Sequence, residues 1–209
     1  MNRFYLLLTT LLMIAPAQSE LQVVELYSQD ALLQMIRDNT HLMQMRRDDC
    51  QLVEDVQAHA KILKEPAYQM LWADMLMYGV CVDKNVKEGF YYLETASESG
   101  LPDALEQLGR YYRIGKFTLV NEELAIHYYK LASEQGHLRA RFDLVRMYVR
   151  GYGAPRDYPQ AYRWLFEEVY EHGEDQATAD ELLSQLARLI PNREVEAIEA
   201  SQKFQDKYR

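Results

Sequence analysis

The sequence predicts an all-α solenoid of stacked helical hairpins, closed by capping helices at its N- and C-terminal ends. Two observations carry that prediction. A set of small, apolar and aromatic residues recurs three times at intervals of 36 or 37 residues, and glycines fall at matching points within each recurrence. Self-similarity at such a period is the mark of a repeat architecture, in which each unit buries its faces only against its neighbours.

In chain order, the first segment is "MNRFYLLLTTLLMIAPAQSE". Arg3 is its only basic residue, an apolar run extends from Phe4 to Ala15, and Ala17 and Ser19 stand at the −3 and −1 positions of a cut before Glu20. This pattern predicts a secretory signal peptide over residues 1–19. The competing reading, an uncleaved anchor, requires a longer run to cross a bilayer. The expected product is a soluble exported chain with net charge −10, which disfavours nucleic-acid binding.

Residues 20–66 read as an N-terminal segment with capping helices. "SQDALLQMIRDN" has helical spacing at Leu32, Leu33 and Ile36. "DDCQLVEDVQAHAKIL" predicts a helix opened by Asp48 or Asp49, with Leu52, Val53, Val56, Ala60 and Leu63 along one face. "LQVVELY" has the look of a short extended segment and is left open. Cys50 and Cys81 are the only cysteines. In an oxidising compartment they are expected to pair, the alternative being two unrelated buried thiols. A bridge closing about 30 residues contributes ~3 kcal/mol by chain entropy and would staple the cap to the first repeat.

Residues 67–172 hold the three units. Ala67, Ala104 and Ala140 align, followed by Leu71, Leu108 and Leu144, then Met75, Tyr112 and Tyr148, then Gly79, Gly115 and Gly151. The second half of each unit matches at Gly89, Ala125 and Ala161 and again at Tyr92, Tyr128 and Trp164; Gly100 and Gly136 close the first two. Residues four apart lie along one helix face, and glycine ends a helix where a left-handed residue is needed. Asp83, Asn121 and Asp157 are the candidate caps of the second helices. Residues 173–209 read as two closing helices, from "TADELLSQLARLI" and "REVEAIEASQKFQDKY".

"ALEQLGRYYRIGKFTLVNEELAIHYYKLASEQGH" and its two counterparts resemble the Sel1-like repeat, a relative of the tetratricopeptide repeat. The resemblance implies a Sel1-like/tetratricopeptide-like helical-hairpin solenoid whose first helices line the concave side. The sequence departs from the family pattern in two places. The turn glycine pair survives only as Gly151 and Gly153, and the second unit has a longer polar link, "KFTLVNEE".

Little in the chain points to chemistry. His41, His59, His127, His137 and His172 have no metal-ligand spacing, no glycine loop would cradle a phosphate, and a disulfide disarms both thiols. Neither a catalytic site nor a cofactor is expected. Charge layout is more informative: Arg110 to Arg163 carries a net +5, whereas Leu165 to Leu182 holds seven acids and no base. Arg110, Arg113, Arg139, Arg146 and Arg150 occupy variable slots of the first helices and are candidates for docking an acidic partner. The plainer alternative is that they pair with the protein's own acids.

A second resemblance covers more of the chain. "YSQDALLQMIRDNTHLMQMRRDDCQLVEDVQAHA", "PAYQMLWADMLMYGVCV", "LPDALEQLGRYYRIG" and "DYPQAYRWL" are similar to a family of periplasmic proteins of the sodium-driven polar flagellar motor. The pieces "CQLVED" and "YGVCV" are the most diagnostic, and the tail from Arg188 matches less distinctly. The resemblance implies a non-enzymatic T-ring component at the basal body, partnered by a MotY-like T-ring protein and by the periplasmic region of the stator B subunit. Ring self-assembly is a further expectation, through pairing of the basic middle with the acidic segment of a neighbour. The competing expectation is a generic periplasmic Sel1-like adaptor. A cysteine-rich hydrolase of the repeat family would need a cysteine pair in every repeat.

Overall fold

A computed structural model describes residues 27–207, with side chains to residue 202. The expected signal peptide and all of "LQVVELY" but its last residue lie outside the described residues. Those described form helices joined by turns, with no strand among them, and no helix among them is long and apolar enough to cross a membrane.

Three hairpins form the body. Helix α4 (Pro66–Tyr78) pairs with α5 (Val86–Glu98), α6 (Pro102–Ile114) with α7 (Glu122–Glu134), and α8 (Leu138–Val149) with α9 (Tyr158–Phe166). Ahead of them lie α1 (Gln29–Arg37), α2 (His41–Arg47) and α3 (Val53–Ala58), the last running into a π-helical turn at His59–Leu63; α10 (Gly173–Ala187) and α11 (Asn192–Lys207) close the chain. Packing is heaviest within the first two hairpins, whereas α8 packs on α7 and α10 at least as closely as on its partner α9, so each unit leans on its neighbours as a quasi-one-dimensional stack requires.

Local chemistry sets the boundaries. Pro66 and Pro102 start their helices, where a missing N–H costs nothing. Gly79 (φ 67°) and Gly115 (φ 69°) stop the same two helices in the left-handed conformation. These two landmarks put the first and second repeats 36 residues apart along the whole first helix, correcting the 37-residue offset read from the Ala and Leu positions. Two more corrections concern turns. The first second-helix is capped by Asn85, whose side chain accepts from the Glu88 N–H at 3.1 Å, not by Asp83; Asn121 caps α7 from the equivalent position. The first two links, 79–85 and 115–121, have equal length, so "KFTLVNEE" is not an insertion, and its Leu119 and Val120 are exposed.

The N-terminal region differs from expectation as well. A separate helix, α2, precedes the cysteine, and α3 begins only at Val53 because Asp49 and Cys50 take positive φ (49° and 60°). Leu63 is about half exposed rather than on the buried face.

The core has two lobes. One joins α1–α5 with part of α6; the other runs from α6 and α7 to α11. Tyr112 and Tyr128 pack against both, their rings stacked at 5.7 Å between centroids. Every residue of α4 from Ala67 to Met77 is buried, which follows from its being apolar nearly all round. The last helix is tied down by Ile198, which is buried, and by Tyr162, whose hydroxyl donates to Glu199 at 2.9 Å. Burial and that carboxylate push the Tyr162 phenol up to about 12.

Candidate docking groove

With the repeats in the 36-residue register, the face presented by the first helices resolves into rows contributed by α4, α6 and α8. Asp74, Arg110 and Arg146 form one row; Met70, Glu106 and Phe142 form another; Asp103 and Arg139 are equivalent, as are Gln107 and Asp143. These side chains line a groove in two continuous sections. The first, of 680 Å³, lies between α6 and α8 and extends to Asp175 and Thr178 of α10. The second, of 840 Å³, has α2 as one wall, with Leu42, Met43 and Arg46, and α4 and α6 as its floor. Ile36, Arg37, Gln107, Arg110 and Arg139 belong to both sections.

The groove floor is a buried polar network. Asp74 is 3% exposed and is the one charged residue of a buried, largely apolar helix, so its carboxylate needs partners. It has three: His41 Nε2 at 2.9 Å, Gln107 Nε2 at 2.6 Å and the Tyr111 hydroxyl at 3.3 Å. Burial and the Asp74 charge hold the Tyr111 phenol far above its usual range, so it stays a neutral donor.

A second buried carboxylate, Asp103, accepts two hydrogen bonds from the Arg37 guanidinium, at 2.7 and 2.8 Å, and lies 3.4 Å from His137 Nε2. Burial alone would raise its pKa, but Arg37 and His137 outweigh it and hold the carboxyl well below the usual range. This pair links α1 directly to the second repeat. Glu106 has the opposite balance. Burial raises its pKa against the pull of Arg110, and the 3.6 Å approach of Arg110 Nε is too long for a hydrogen bond, leaving Oε1 without one.

The predicted partner-binding arginines divide into three groups. Arg110, Arg139 and Arg146 line the groove. Arg113 does not; it bridges the second and third repeats, donating to the Tyr129 hydroxyl at 3.1 Å and lying 4.0 Å from Asp143. Arg150 caps α8, exposed and away from the groove lining. Arg146 also donates to Asp143 at 2.9 Å, whereas Arg139 makes no ion pair with any described residue. The acidic segment is partly used within the same chain: Glu168 pairs with Arg141, and Asp175 faces the groove. Cys50 and Cys81 are bridged, with 5.4 Å between Cα atoms, fastening the α2–α3 turn to the α4–α5 turn.

Sequence reasoning missed Asp74, His41, Gln107, Asp103 and Arg37. The 37-residue offset matched Asp74 to Tyr111, hiding its equivalence to Arg110 and Arg146. A detectable signal did exist: one carboxylate inside the run "AYQMLWADMLMY", which cannot be left unpartnered when the helix is buried. No group of three or more His, Cys, Asp or Glu among the described residues could hold a metal ion.

Three stacked helical hairpins at a 36-residue period make the chain a repeat solenoid, and its repeats are of the Sel1 type. The Sel1 repeat model matches residues 66–101, 102–137 and 139–166. A Sel1 repeat protein from Oxalobacter formigenes has a similar fold, with TM-score 0.55 and 24% identity over 62% of this chain and 97% of that one. Within that class the chain belongs to the MotX family. It is 42% identical to the sodium-type polar flagellar protein MotX of Vibrio parahaemolyticus over 146 residues, 70% of this chain and 69% of the relative.

Proposed function

We propose that the protein is a non-enzymatic component of the sodium-driven polar flagellar motor. It is exported to the periplasm through its N-terminal 19 residues and sits at the basal body in the T ring with a MotY-like protein. There it recruits and holds stator units through the periplasmic region of their B subunit. The observation that carries this reading is the 42% identity to a sodium-type polar flagellar protein over more than two thirds of both chains. The architecture suits the role: a solenoid presents an extended concave surface, and here that surface is polar, with Arg110, Arg139 and Arg146 facing it. Domain limits at 1–19, 20–66, 67–172 and 173–209 are part of the proposal.

Deleting the gene tests it. Cells that keep filaments by electron microscopy but do not swim, and that regain swimming on complementation, support the motor assignment. A deletion strain without a second copy of the gene that swims normally would replace it with a general envelope adaptor.

A further inference from the structure

The α2 end of the groove differs from the rest in charge. Its lining contains five cations, Arg37, Arg46, Arg110, Lys116 and Arg139, and a single carboxylate, Asp74, already engaged by His41 and Gln107. This concentration occurs in a chain whose formal net charge is −9. Arg37 is held by Asp103, and Arg110 lies over Glu106. Arg46, Lys116 and Arg139 have no carboxylate within ion-pairing distance among the described residues; Lys116 instead lies 4.6 Å from the Tyr78 ring centre. Beside these cations the groove exposes apolar surface, with Met43 51% and Tyr78 38% accessible.

We propose that this end of the groove is a docking site for an extended acidic segment of another protein that carries a large apolar side chain, and that the Cys50–Cys81 bridge holds the site open. Charge complementarity argues for the acid, because unpaired cations beside a low-dielectric wall attract carboxylates more strongly than isolated surface cations do. Met43 and Tyr78 argue for the apolar anchor, since contact there removes exposed apolar area from water. A second copy of this chain suits the site less well. Its acidic segment is partly committed, Glu168 to Arg141 and Asp175 to the opposite end of the groove.

The bridge matters because α2 is a helix of seven residues whose main packing is on α1 and α4. Such a short helix does not hold itself in place. The disulfide fixes the turn that directly follows it against the first repeat, and so fixes Met43 and Arg46 across from Lys116 and Tyr78. The bridge therefore has a role in recognition as well as in stability.

The inference deepens the docking role proposed above, yet its test does not depend on the motor assignment. The probes are three short fluorescein-labelled peptides: one of Glu and Asp with two Leu, one with Lys at the acidic positions, and one with Ser at the Leu positions. Binding to the purified oxidised protein is followed by anisotropy, and the bound face by NMR shift mapping. The acidic–apolar peptide should bind about tenfold tighter than either control, the scale of one good charge contact or buried side chain. Arg46→Glu and Arg139→Glu should each cost about that much, Arg150→Glu should cost nothing, and the shifts should centre on Met43, Arg46 and Tyr78. Lys116→Gln serves as a milder variant, and circular dichroism checks that every variant is folded. Cys50→Ser with Cys81→Ser should lose binding while remaining helical. Equal affinity for all three peptides, insensitivity to Arg46→Glu and Arg139→Glu, or shifts confined to the α8–α10 end would overturn the site. Unchanged binding by the cysteine variant would overturn the role of the bridge. Concentration-dependent self-association abolished by Arg46→Glu would overturn the choice of occupant in favour of a second copy. Peptide binding by a protein whose deletion strain swims would leave the site standing and remove only the motor reading.

Discussion

Asp103 shows how one carboxylate can join distant parts of the chain. It sits in the first turn of α6 and is held by Arg37 from α1, 66 residues away, and by His137, the N-cap of α8. Its partners keep it ionised in the fold far below the pH at which a free carboxyl takes up a proton. A depressed acid contributes stability above its unfolded pKa of about 3.9 and loses it as pH falls toward the folded value. Asp103→Asn should therefore cost about 2 kcal/mol at neutral pH, the scale of charged hydrogen bonds lost. The difference from the wild type should shrink as pH falls below about 4. Urea unfolding at pH 7 and pH 3 checks both statements.

At the scale of the element, helix spacing depends on what lies between the axes. Gly89 allows α5 to approach α4: a Cβ there would sit 2.5 Å from Met77 Cγ and 2.7 Å from the Ala73 carbonyl oxygen. The second of these atoms is backbone and cannot swing away. Gly89→Ala gains helix propensity of up to ~1 kcal/mol but forces the hairpin apart, an overpacking cost of about 1–3 kcal/mol. Thermal unfolding should show a lower Tm. Ala125 occupies the matching place in the second hairpin, so the sequence told that a small residue belongs there without showing which contact excludes a larger one. The groove rows were similarly half visible. The charged slots were evident, but a register error of one residue turns a helix by about 100°. The proline and glycine boundaries of α4 and α6 bring Asp74 into line with Arg110, which already stood 36 residues before Arg146.

Across the whole molecule, stability is passed between neighbours rather than centred on one core. The stacked Tyr112 and Tyr128 pair joins the two lobes, and the disulfide joins the capping helices to the first repeat. Replacing both cysteines by serine relaxes a closure of 31 residues and should cost about 3–4 kcal/mol. In a nearest-neighbour stack the loss should fall unevenly. Hydrogen exchange should accelerate in α1 to α3 far more than in α7 to α9, and a uniform increase would show the chain to unfold as one unit.

The sequence by itself determined the class of fold, the number of repeats and the glycine boundaries. Each of these follows from local periodicity; the pairing of the only two cysteines was an expectation with an open alternative until the bridge was seen. Tertiary structure decided which charges face one another. Arg113 and Arg141 went to holding repeats and helices together, Arg150 to a helix end, and Arg139 and Arg146 to the groove. The physical reason is that an ion pair joins residues far apart in the chain, and its partner is set by how helices stack, which no local pattern records.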